Sequence, residues 1–458
     1  MASDHPVVRL GDYVDACLGK MLDAQKNRGE LHPYLGNSNV RWGSFELEEL
    51  AIMRFEVHEE ERYSIRDGDL IVCEGGEPGR CAIWRGNAPM KIQKALHRVR
   101  TKAGLDNYFL YYWFLRAGRT GELEPFFTGT TIKHLTGKAL AELRIPLPPI
   151  DLQREAARVL RSLDEKIDLN RRISQTLEAM AQAIFKSWFV DFDPVKAKIA
   201  AKAEGLDPLR AAMSAISGKA DAELDALPPE AFKQLAATAE LFPDEMQESE
   251  LGEIPKGWVC GALSDICSFT AGSAFKPEHQ GSTEGDYPFI KVSDMNLAGN
   301  EVFIQSANNY VSKVQQSEMK AKLHPLGATV FAKIGVALIS NRRRLLTAPT
   351  IIDNNLMSAG PVEGKSGQYF LYSMLSTIDF NTLVSGTALP YLNVSDLKKI
   401  PIVLPMHSIG RSFEERASSI FSMMQTLAAQ NSTLATTRDT LLPKLLSGEV
   451  EASGTIEG

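Results

Sequence analysis

The stretch from Ile150 to Phe189 contains no Pro or Gly, and this uninterrupted run constrains the fold more than any other part of the sequence. It predicts one long helix, and about 40 residues at ~1.5 Å each would span roughly 57–60 Å. Counting in sevens from Ala156 gives a row that is apolar except for one asparagine, namely Leu163, Asn170, Leu177 and Ile184. This heptad spacing is typical of a helix that packs along another helix. We therefore expect a second long helix elsewhere in the chain.

A second, less regular row follows the same stretch. Its members are Val159, Lys166, Ile173 and Met180, with Leu160 and Ile167 beside them. The matching helix is predicted at residues 412–446, where counting in sevens from Phe413 gives Ile420, Leu427, Leu434 and Leu441. Asn170 and Asn431 would fix the register of the helix pair, because an amide side chain is disfavoured opposite an apolar position. The alternative, in which each asparagine simply faces water, stays open.

The composition is that of a folded protein with more than one domain. The chain has 458 residues, of which 44% are hydrophobic and 23% charged. No apolar run reaches about 18 residues, so we expect no membrane span, and the N-terminal residues lack the pattern of an export signal. The five cysteines show no CxxC spacing. We therefore expect a cytoplasmic protein with reduced thiols and no zinc site.

The net charge of −7 argues against a nucleic-acid partner only until its distribution is considered. Residues 191–250 contain 13 acidic and 6 basic residues, which accounts for the whole net charge and leaves the rest of the chain neutral. Local basic clusters therefore decide whether an anionic partner can bind.

Residues 1–150 are predicted to form a mixed domain, and its main features recur later in the chain. Its predicted strands are residues 63–65, 70–73 and 81–84, followed by an aromatic helix at 107–116. Five segments recur in the same order at a nearly constant offset, which indicates an internal duplication. The pairs are 11–17 with 262–267, 68–74 with 327–334, 108–115 with 369–375, 129–135 with 386–392, and 144–149 with 399–405.

We therefore predict an α+β fold with an internal pseudo-two-fold duplication. Two globular α/β domains, residues 1–150 and 251–405, are separated by a pair of long coiled-coil helices at 151–190 and 406–447, whose antiparallel or parallel packing the sequence pattern leaves open. Residues 191–250 form an acidic connector with helical runs at 195–205 and 229–240, and residues 448–458 form a tail. Complete disorder of the connector is the open alternative.

No motif for catalysis is evident. The nearest approach to a phosphate-binding loop, Gly364-Lys365-Ser366, has Ala359 where the first glycine belongs. Residues 191–194 (DFDP) resemble the tetrad of amino-methyltransferases only in their letters, and 164–166 (DEK) lie on the long helix rather than in a nuclease motif. The histidines show no metal-ligand spacing. We expect a chain without catalytic activity, and an enzyme with an unrecognised site remains the less favoured possibility.

The second domain offers a basic cluster between strands predicted at residues 336–340 and 345–347. It consists of Asn341, Arg342, Arg343 and Arg344, with Lys333 nearby. At a hairpin tip these side chains would reach phosphates or guanine edges. An ordinary solvated turn is the alternative.

The first domain has a basic run and a loop rich in hydrogen-bond donors. The run consists of Lys91, Lys94, His97, Arg98 and Arg100. The loop contributes Thr130, Thr131, Lys133 and His134, and its counterpart in the second domain contributes Thr387, Tyr391 and Asn393. Equivalent loops with different side chains suit two domains that read different sequences, which makes a nucleic acid the predicted partner.

Five segments carry a family resemblance that covers essentially the whole chain. They are residues 145–149 (IPLPP) leading into 164–167 (DEKI), the junction 188–194 (WFVDFDP), the restart 251–258 (LGEIPKGW) and the final 445–449 (LLSGE). The chain thereby resembles the specificity subunit of type I restriction-modification systems. Pro443, near the end of the second helix, departs from a regular helix and predicts a kink or a stop there.

This resemblance implies that each domain is a target-recognition domain that reads one half of a bipartite DNA site. The two helices would pack as an antiparallel coiled-coil pair that fixes the length of the unread gap. They would also dock two modification subunits, which carry S-adenosylmethionine and methylate adenine. Restriction subunits would add ATP- and Mg²⁺-dependent translocation and cleavage, so this chain would bind no cofactor itself. The implied helix-pair and docking residues are Leu163, Asn170, Leu177, Ile184, Trp188, Ile420, Leu427, Leu434 and Leu441, with Leu160, Phe185, Trp188 and Phe189 off the main stripe. A duplicated protein-interaction scaffold without DNA readout is the alternative.

Overall fold

The structure is a computed structural model that describes residues 5–23, 27–48, 50–86, 89–386 and 390–450. The chain divides into a first unit, residues 1–168 with 433–458, and a second unit, residues 169–432. None of the helices within the described ranges is long and apolar enough to cross a membrane.

The first unit contains short strands joined by tight turns. In chain order they are β1 (Val7–Arg9), β2 (Val14–Leu18), β3 (Glu30–Leu35), β4 (Val40–Arg41), β5 (Ser44–Phe45), β6 (Ala51–Phe55), β7 (Ser64–Ile65), β8 (Leu70–Cys73), β9 (Cys81–Ile83), β10 (Met90–Ile92), β11 (Leu96–Thr101) and β12 (Arg144–Pro146). The helices among them are α1 (Leu10–Tyr13), α2 (Glu60–Tyr63), α3 (Asn107–Thr120) and α4 (Gly137–Glu142). The strand predicted at 70–73 is confirmed, and those predicted at 63–65 and 81–84 are each one residue shorter.

Two four-stranded sheets form the framework of the first domain. One has the order β2-β11-β8-β9 and is antiparallel throughout. The other has the order β6-β3-β10-β7, in which β3 and β10 run parallel. Strand β1 pairs with β12, so the beginning of the domain is held beside the residues that lead into the first long helix.

Helix α3 fills the core of the first domain because its middle is almost entirely apolar and aromatic. It begins after Asp106, whose carboxylate accepts hydrogen bonds from the backbone N–H groups of Tyr108 and Phe109 at 2.9 and 3.0 Å. It ends at Gly121, which adopts a left-handed φ of 76°. The helix is four residues longer than the predicted 107–116, because the glycine rather than Arg116 stops it.

The first long helix, α5, spans Ile150–Phe189, as the sequence predicts. The acidic segment after it is folded, with helices α6 (Asp193–Ala203), α7 (Pro208–Ser217), α8 (Asp221–Leu224) and α9 (Pro229–Glu240) and the hairpin β13 (Met246–Ser249) and β14 (Gly252–Pro255). Val195, Met213 and Leu235 of these helices join the hydrophobic core of the second unit. The disordered alternative is therefore wrong, and the segment is part of a folded unit rather than a loose connector.

The second domain follows with its own short strands. They are β15 (Val259–Ala262), β16 (Cys267–Ala271), β17 (Tyr287–Ile290), β18 (Phe303–Ile304), β19 (Tyr310–Val311), β20 (Thr329–Ala332), β21 (Arg343–Leu346), β22 (Ile351–Ile352), β23 (Leu356–Pro361), β24 (Val384–Ser385), β25 (Tyr391–Leu392) and β26 (Pro401–Leu404). The helices are α10 (Lys313–Glu318), α11 (Val336–Ile339), α12 (Gln368–Thr377), α13 (Val394–Lys398) and the second long helix α14 (His407–Ser447).

The strand pairings of the two domains confirm the duplication. The antiparallel set β16-β23-β20 repeats β2-β11-β8, and the parallel pair β17 and β22 repeats β3 and β10. The pair β15 and β26 repeats β1 and β12. The aromatic helix α12 takes the place of α3.

Helix α14 spans His407–Ser447, close to the predicted 406–447, and Pro443 lies inside it. Of the kink or stop predicted at Pro443, the stop is wrong, because the helix continues to Ser447. A proline removes one backbone donor, but here Leu442, Leu445 and Leu446 on either side of it are buried in the core of the first unit. This burial holds the last turn in helical form.

Candidate nucleic-acid interface and helix pair

Two asparagines meet between the long helices within the second unit. Asn170 of α5 is fully buried, and its Nδ2 donates to Oδ1 of Asn431 on α14 at 3.0 Å. The two residues are 261 positions apart in the chain. A buried amide is stable only with a partner, and an apolar neighbour in either slot would leave it unpaired. The predicted pairing is confirmed, and the alternative in which Asn170 faces water is wrong.

The helices run antiparallel within each unit. In the second unit, α5 advances from Asn170 to Phe185 while its partners on α14 step back from Asn431 to Phe413. In the first unit, Asp164 accepts a hydrogen bond from Arg438 at 2.7 Å. In the row that contains the buried Asn170, the residues Leu163, Leu177 and Ile184 are half-buried, and so are the predicted counterparts Ile420, Leu427, Leu434 and Leu441.

The second row of α5 differs from the prediction. Met180 is 51% exposed and Lys166 is also exposed, so the row that begins at Val159 does not face the partner helix. The buried row begins one residue later, at Leu160, and ends at Trp188. Trp188 is 1% exposed and packs on Phe413 of α14 at 6.2 Å and on Phe242 at 5.1 Å between ring centroids. Its prediction as a helix-pair residue is therefore confirmed, and it is too buried to dock another subunit. Leu160, Phe185 and Phe189 are likewise buried in cores of this chain.

Each aromatic helix is tied to a long helix by an equivalent polar residue. In the first unit, the buried Gln153 of α5 accepts a hydrogen bond from the N–H of Asp106 at 2.9 Å and donates to two backbone carbonyls. In the second unit, Glu414 of α14 accepts a hydrogen bond from the N–H of Phe370 at 2.8 Å. Burial raises the pKa of the Glu414 carboxyl. Each domain is thus fixed to its helix at a position 261 residues from the other.

Tyrosine–carboxylate bonds add a second tie in each unit. Tyr112 of α3 donates to Oδ2 of Asp164 at 2.7 Å, and Tyr372 of α12 donates to Oε1 of Glu178 at 2.5 Å. Both oxygens of Asp164 are therefore engaged in structural bonds. Asp164, the first residue of the sequence DEK at 164–166, is therefore a helix-pair residue.

The Gly/Thr loop of the first domain is a small hairpin with a rigid base and an exposed tip. Thr128 and His134 exchange backbone hydrogen bonds at 2.8 Å. Gly129 has a φ of 95°, and a Cβ there would lie 2.3 Å from a backbone oxygen, so only glycine fits the turn. The predicted contact residues Thr130, Thr131 and Lys133 are exposed, whereas His134 is half-buried. The structure thus brings these donors together at one tip.

The basic run of the first domain mostly faces inward. Lys91 is 1% exposed, and its amine is bound by Glu60 and by Ser64 Oγ, so its prediction as a DNA contact is wrong. Arg98 is bound to Asp15 at 3.0 Å. The reason is that β10 and β11 are interior strands, whose long side chains meet carboxylates from distant segments. Of the predicted contacts in this run, Lys94 is exposed.

The arginine cluster of the second domain is not a hairpin tip. Residues 336–339 form the short helix α11, and Arg343 begins strand β21. Arg343 is buried, donates to the carbonyl of Ile378, and lies over the Phe380 ring at 4.1 Å. Burial lowers its pKa to about 10. The predictions that Arg343 contacts DNA and that residues 341–344 form a hairpin tip are therefore wrong.

The neighbours of Arg343 divide between structural and surface roles. Arg344 is half-buried and donates to the carbonyl of Met295 at 3.3 Å. Asn341 has a left-handed φ of 55° and donates to Asp379 at 3.2 Å, which makes it a turn residue. Arg342 is exposed and donates to Oδ1 of Asn296. Arg342 is thus the member of the cluster that a ligand can reach most readily.

The Gly/Thr loop of the second domain packs beside α11. The N–H of Leu392 donates to the carbonyl of Lys333 at 2.9 Å, and Tyr391 is 46% exposed. Asn393 caps α13 by accepting a hydrogen bond from the N–H of Ser395 at 3.1 Å. Thr387 lies outside the described residues. Lys333 and Tyr391 are therefore brought together, while Asn393 has a structural role.

Exposed aliphatic residues that were not predicted from the sequence lie in the Gly/Thr loop of the first domain and in helix α11 of the second. Ile132 in the first domain is 64% exposed between Thr131 and Lys133. In the second domain Val336 and Ile339 of α11 are exposed. The available signal was Gly335 just before α11, but the β-branched residues after it favoured a strand.

Comparison with known proteins decides the family. The family model described as the type I restriction modification DNA specificity domain matches residues 3–179 and again residues 255–441. The chain belongs to this specificity family. Each matched segment begins close to the first strand of one domain and ends within a long helix, so the family unit coincides with the duplicated unit predicted from the sequence.

Individual relatives of this specificity subunit cover most of the chain. The type I restriction enzyme HindI specificity subunit of Haemophilus influenzae is 35% identical over 336 residues, which are 70% of this chain and 72% of that protein. The MjaIX specificity subunit of Methanocaldococcus jannaschii is 26% identical over 385 residues, 84% of this chain and 78% of that protein. Among solved structures, the type I S subunit from M. genitalium covers 97% of this chain and 96% of its own, with 15% identity and a TM-score of 0.47.

Proposed function

We propose that this specificity subunit binds double-stranded DNA and that each domain reads one half of a bipartite site. The observation that carries the proposal is that two equivalent backbone frameworks present different side chains. The first domain offers Thr130, Thr131 and Lys133 on its Gly/Thr loop, whereas the second offers Tyr391 on the equivalent loop and Arg342 after α11. Base edges are read by side chains, while the backbone that positions them can be shared.

The proposal extends to the assembly. Two modification subunits dock on the helix pair and bring S-adenosylmethionine, and restriction subunits bring ATP and Mg²⁺, while this chain itself carries no catalytic group. Leu169, Met180 and Met423 on the long helices are between 42% and 55% exposed and are available to such partners. An apolar stripe left uncovered on a helix is the surface on which another subunit packs.

The test is reconstitution of the full chain with its modification subunits. A labelled random-sequence duplex at low salt should be retained by the complex in a mobility-shift assay, because phosphate contacts alone give nonspecific affinity. Transfer of labelled methyl groups should require both kinds of subunit. A complex that forms but retains no duplex would reject the DNA proposal, and methyl transfer by this chain alone would reject the non-catalytic one.

No observation within the described ranges favours the scaffold without DNA readout. The reconstitution experiment distinguishes the scaffold from a DNA-binding subunit, because a scaffold would assemble with the modification subunits and leave the duplex unbound.

A further inference from the structure

Helix α11 presents two aliphatic side chains to solvent. Val336 is 79% exposed and Ile339 is 54% exposed, whereas Leu338 between them is 1% exposed and anchors the turn in the core. Positions three apart lie on the same face of a helix, so Val336 and Ile339 form one small apolar surface. This surface is not needed for folding, because the anchoring burial is provided by Leu338.

This apolar surface is continuous with the Gly/Thr loop of the second domain. The N–H of Gly335 donates to the carbonyl of Pro390 at 2.8 Å, and Ile334 pairs with Tyr391 in an isolated bridge. The half-buried Lys333 precedes the helix, and the exposed Arg342 follows it. The aliphatic pair is therefore flanked in the chain by two cations, in the region to which the proposed function assigns DNA contact.

The first domain folds without such a pair. Its strands β8 and β9 correspond to β20 and β21 and are joined by residues 74–80, which read EGGEPGR and contain no aliphatic side chain. The framework thus does not require apolar residues at this position. An apolar pair that is present in one domain and missing from the equivalent position of the other would allow the two domains to bind different half-sites.

We infer that Val336 and Ile339 read thymine in the half-site bound by the second domain, through the C5-methyl group. In the major groove the base edges offer hydrogen-bond donors and acceptors, and the thymine methyl is the apolar group among them. The flanking Lys333 and Arg342 complement phosphates, which favours DNA over an apolar surface of a protein subunit as the occupant. This inference rests on the proposed function.

The test uses the reconstituted complex and the double variant Val336→Ser with Ile339→Ser. The matched control is Val314→Ser, since Val314 is 67% exposed on α10 of the same domain. The duplex carries the site mapped from methylated adenines in a host that contains the complete system. Two further duplexes replace thymine by uracil, which lacks the methyl group, in one half-site each.

The unsubstituted complex and the Val314→Ser control should bind one of the two uracil duplexes about fourfold more weakly for each methyl contacted. The double variant should bind the thymine and uracil duplexes equally, at the weaker level. Its salt dependence should be unchanged, because no phosphate contact is removed.

Two results would overturn the inference while leaving the proposed function intact. They are a uracil effect that persists in the double variant, and equal binding of all duplexes by the unsubstituted complex. A double variant that no longer assembles with the modification subunits would assign the pair to a protein contact and also overturn it. An unsubstituted complex that retains no duplex at all would reject the proposed function itself, and the inference with it.

Discussion

The two recognition domains keep the same strand register and fill it with different chemistry. In the first domain, Arg98 and Arg100 of β11 are bound to Asp15 at 3.0 Å and Asp69 at 2.7 Å. The matching positions of β23 are Ser358 and a glycine. Backbone pairing therefore specifies the fold, while the interior charges are exchangeable. Within such a framework a basic residue does not by itself indicate a DNA-binding surface.

The attachments of the domains to the long helices share polar ties and differ by one addition. Gln153 and Asp164 form these ties in the first unit, and Glu414 and Glu178 form them in the second. The second unit adds an aromatic attachment, in which Phe370 of α12 packs on Phe413 and Phe185 of the long helices, with ring centroids 6.1 and 5.2 Å apart. Substitutions at this aromatic attachment should cost more than those at the polar ties, because they leave a cavity among packed rings.

The largest effect is expected for Phe413→Ala. Phe413 is fully buried, and its removal leaves a cavity among aromatic rings, which should lower the free energy of unfolding by about 3–5 kcal/mol. Urea unfolding followed by circular dichroism measures the change. Met423→Ala, at a position 55% exposed on the same helix, is the control and should change the free energy by about 0.5 kcal/mol or less. Equal effects of the two substitutions would refute the aromatic attachment.

A pH-dependent difference is expected for His324→Gln. His324 is buried with Nδ1 2.7 Å from Ser358 Oγ, and burial lowers its pKa to about 4. As the pH falls from about 6.5 to 4, the unfolded chain takes up a proton that the folded chain does not, so stability is lost by up to about 3 kcal/mol. The variant should lose less stability than the unsubstituted chain over this window.

The measurement is the urea midpoint of each protein at pH 7.5 and pH 4.5, with the exposed His58→Gln as control. Because the comparison is between proteins at the same pH, contributions from other titrating groups cancel. An identical pH dependence for His324→Gln and the unsubstituted chain would contradict the predicted effect of burial.

A reciprocal exchange at the equivalent polar positions should give the smallest effects. Gln153→Glu removes an amide that donates to two carbonyls and should cost about 1–3 kcal/mol, because buried acceptors lose their donors. Glu414→Gln keeps one acceptor oxygen for the N-terminus of α12 and should cost about 1 kcal/mol. Thermal unfolding of both variants shows which substitution costs more stability. A larger loss of stability for Glu414→Gln than for Gln153→Glu would contradict the prediction.

The long helix and the duplication could be predicted because their signals are local or repeated. The run without Pro and Gly predicts where α5 begins and ends, and five recurring segments predict the second domain. Asn170 was predictable for the same reason, since its heptad position places it in the seam that Asn431 also enters.

The direction of individual side chains could not be predicted, because it depends on partners far away in the sequence. Lys91 faces inward because Glu60 and Ser64 surround its amine. Residues 336–340 have the composition of a strand, yet left-handed backbone at Gly335 (φ 83°) and Asn341 (φ 55°) brackets a helical turn instead. The acidic connector folds because its scattered apolar residues find the core of the second unit, which no local pattern reveals.

The division of the DNA site between the two domains is tested most directly by exchange of residues 1–150 for the first domain of another specificity subunit. Methylated adenines are then mapped across the genome of a host that carries the exchanged chain with its modification and restriction subunits. One half of the methylated site should change while the other half stays the same. A change in both halves, or in neither, would contradict independent reading by the two domains.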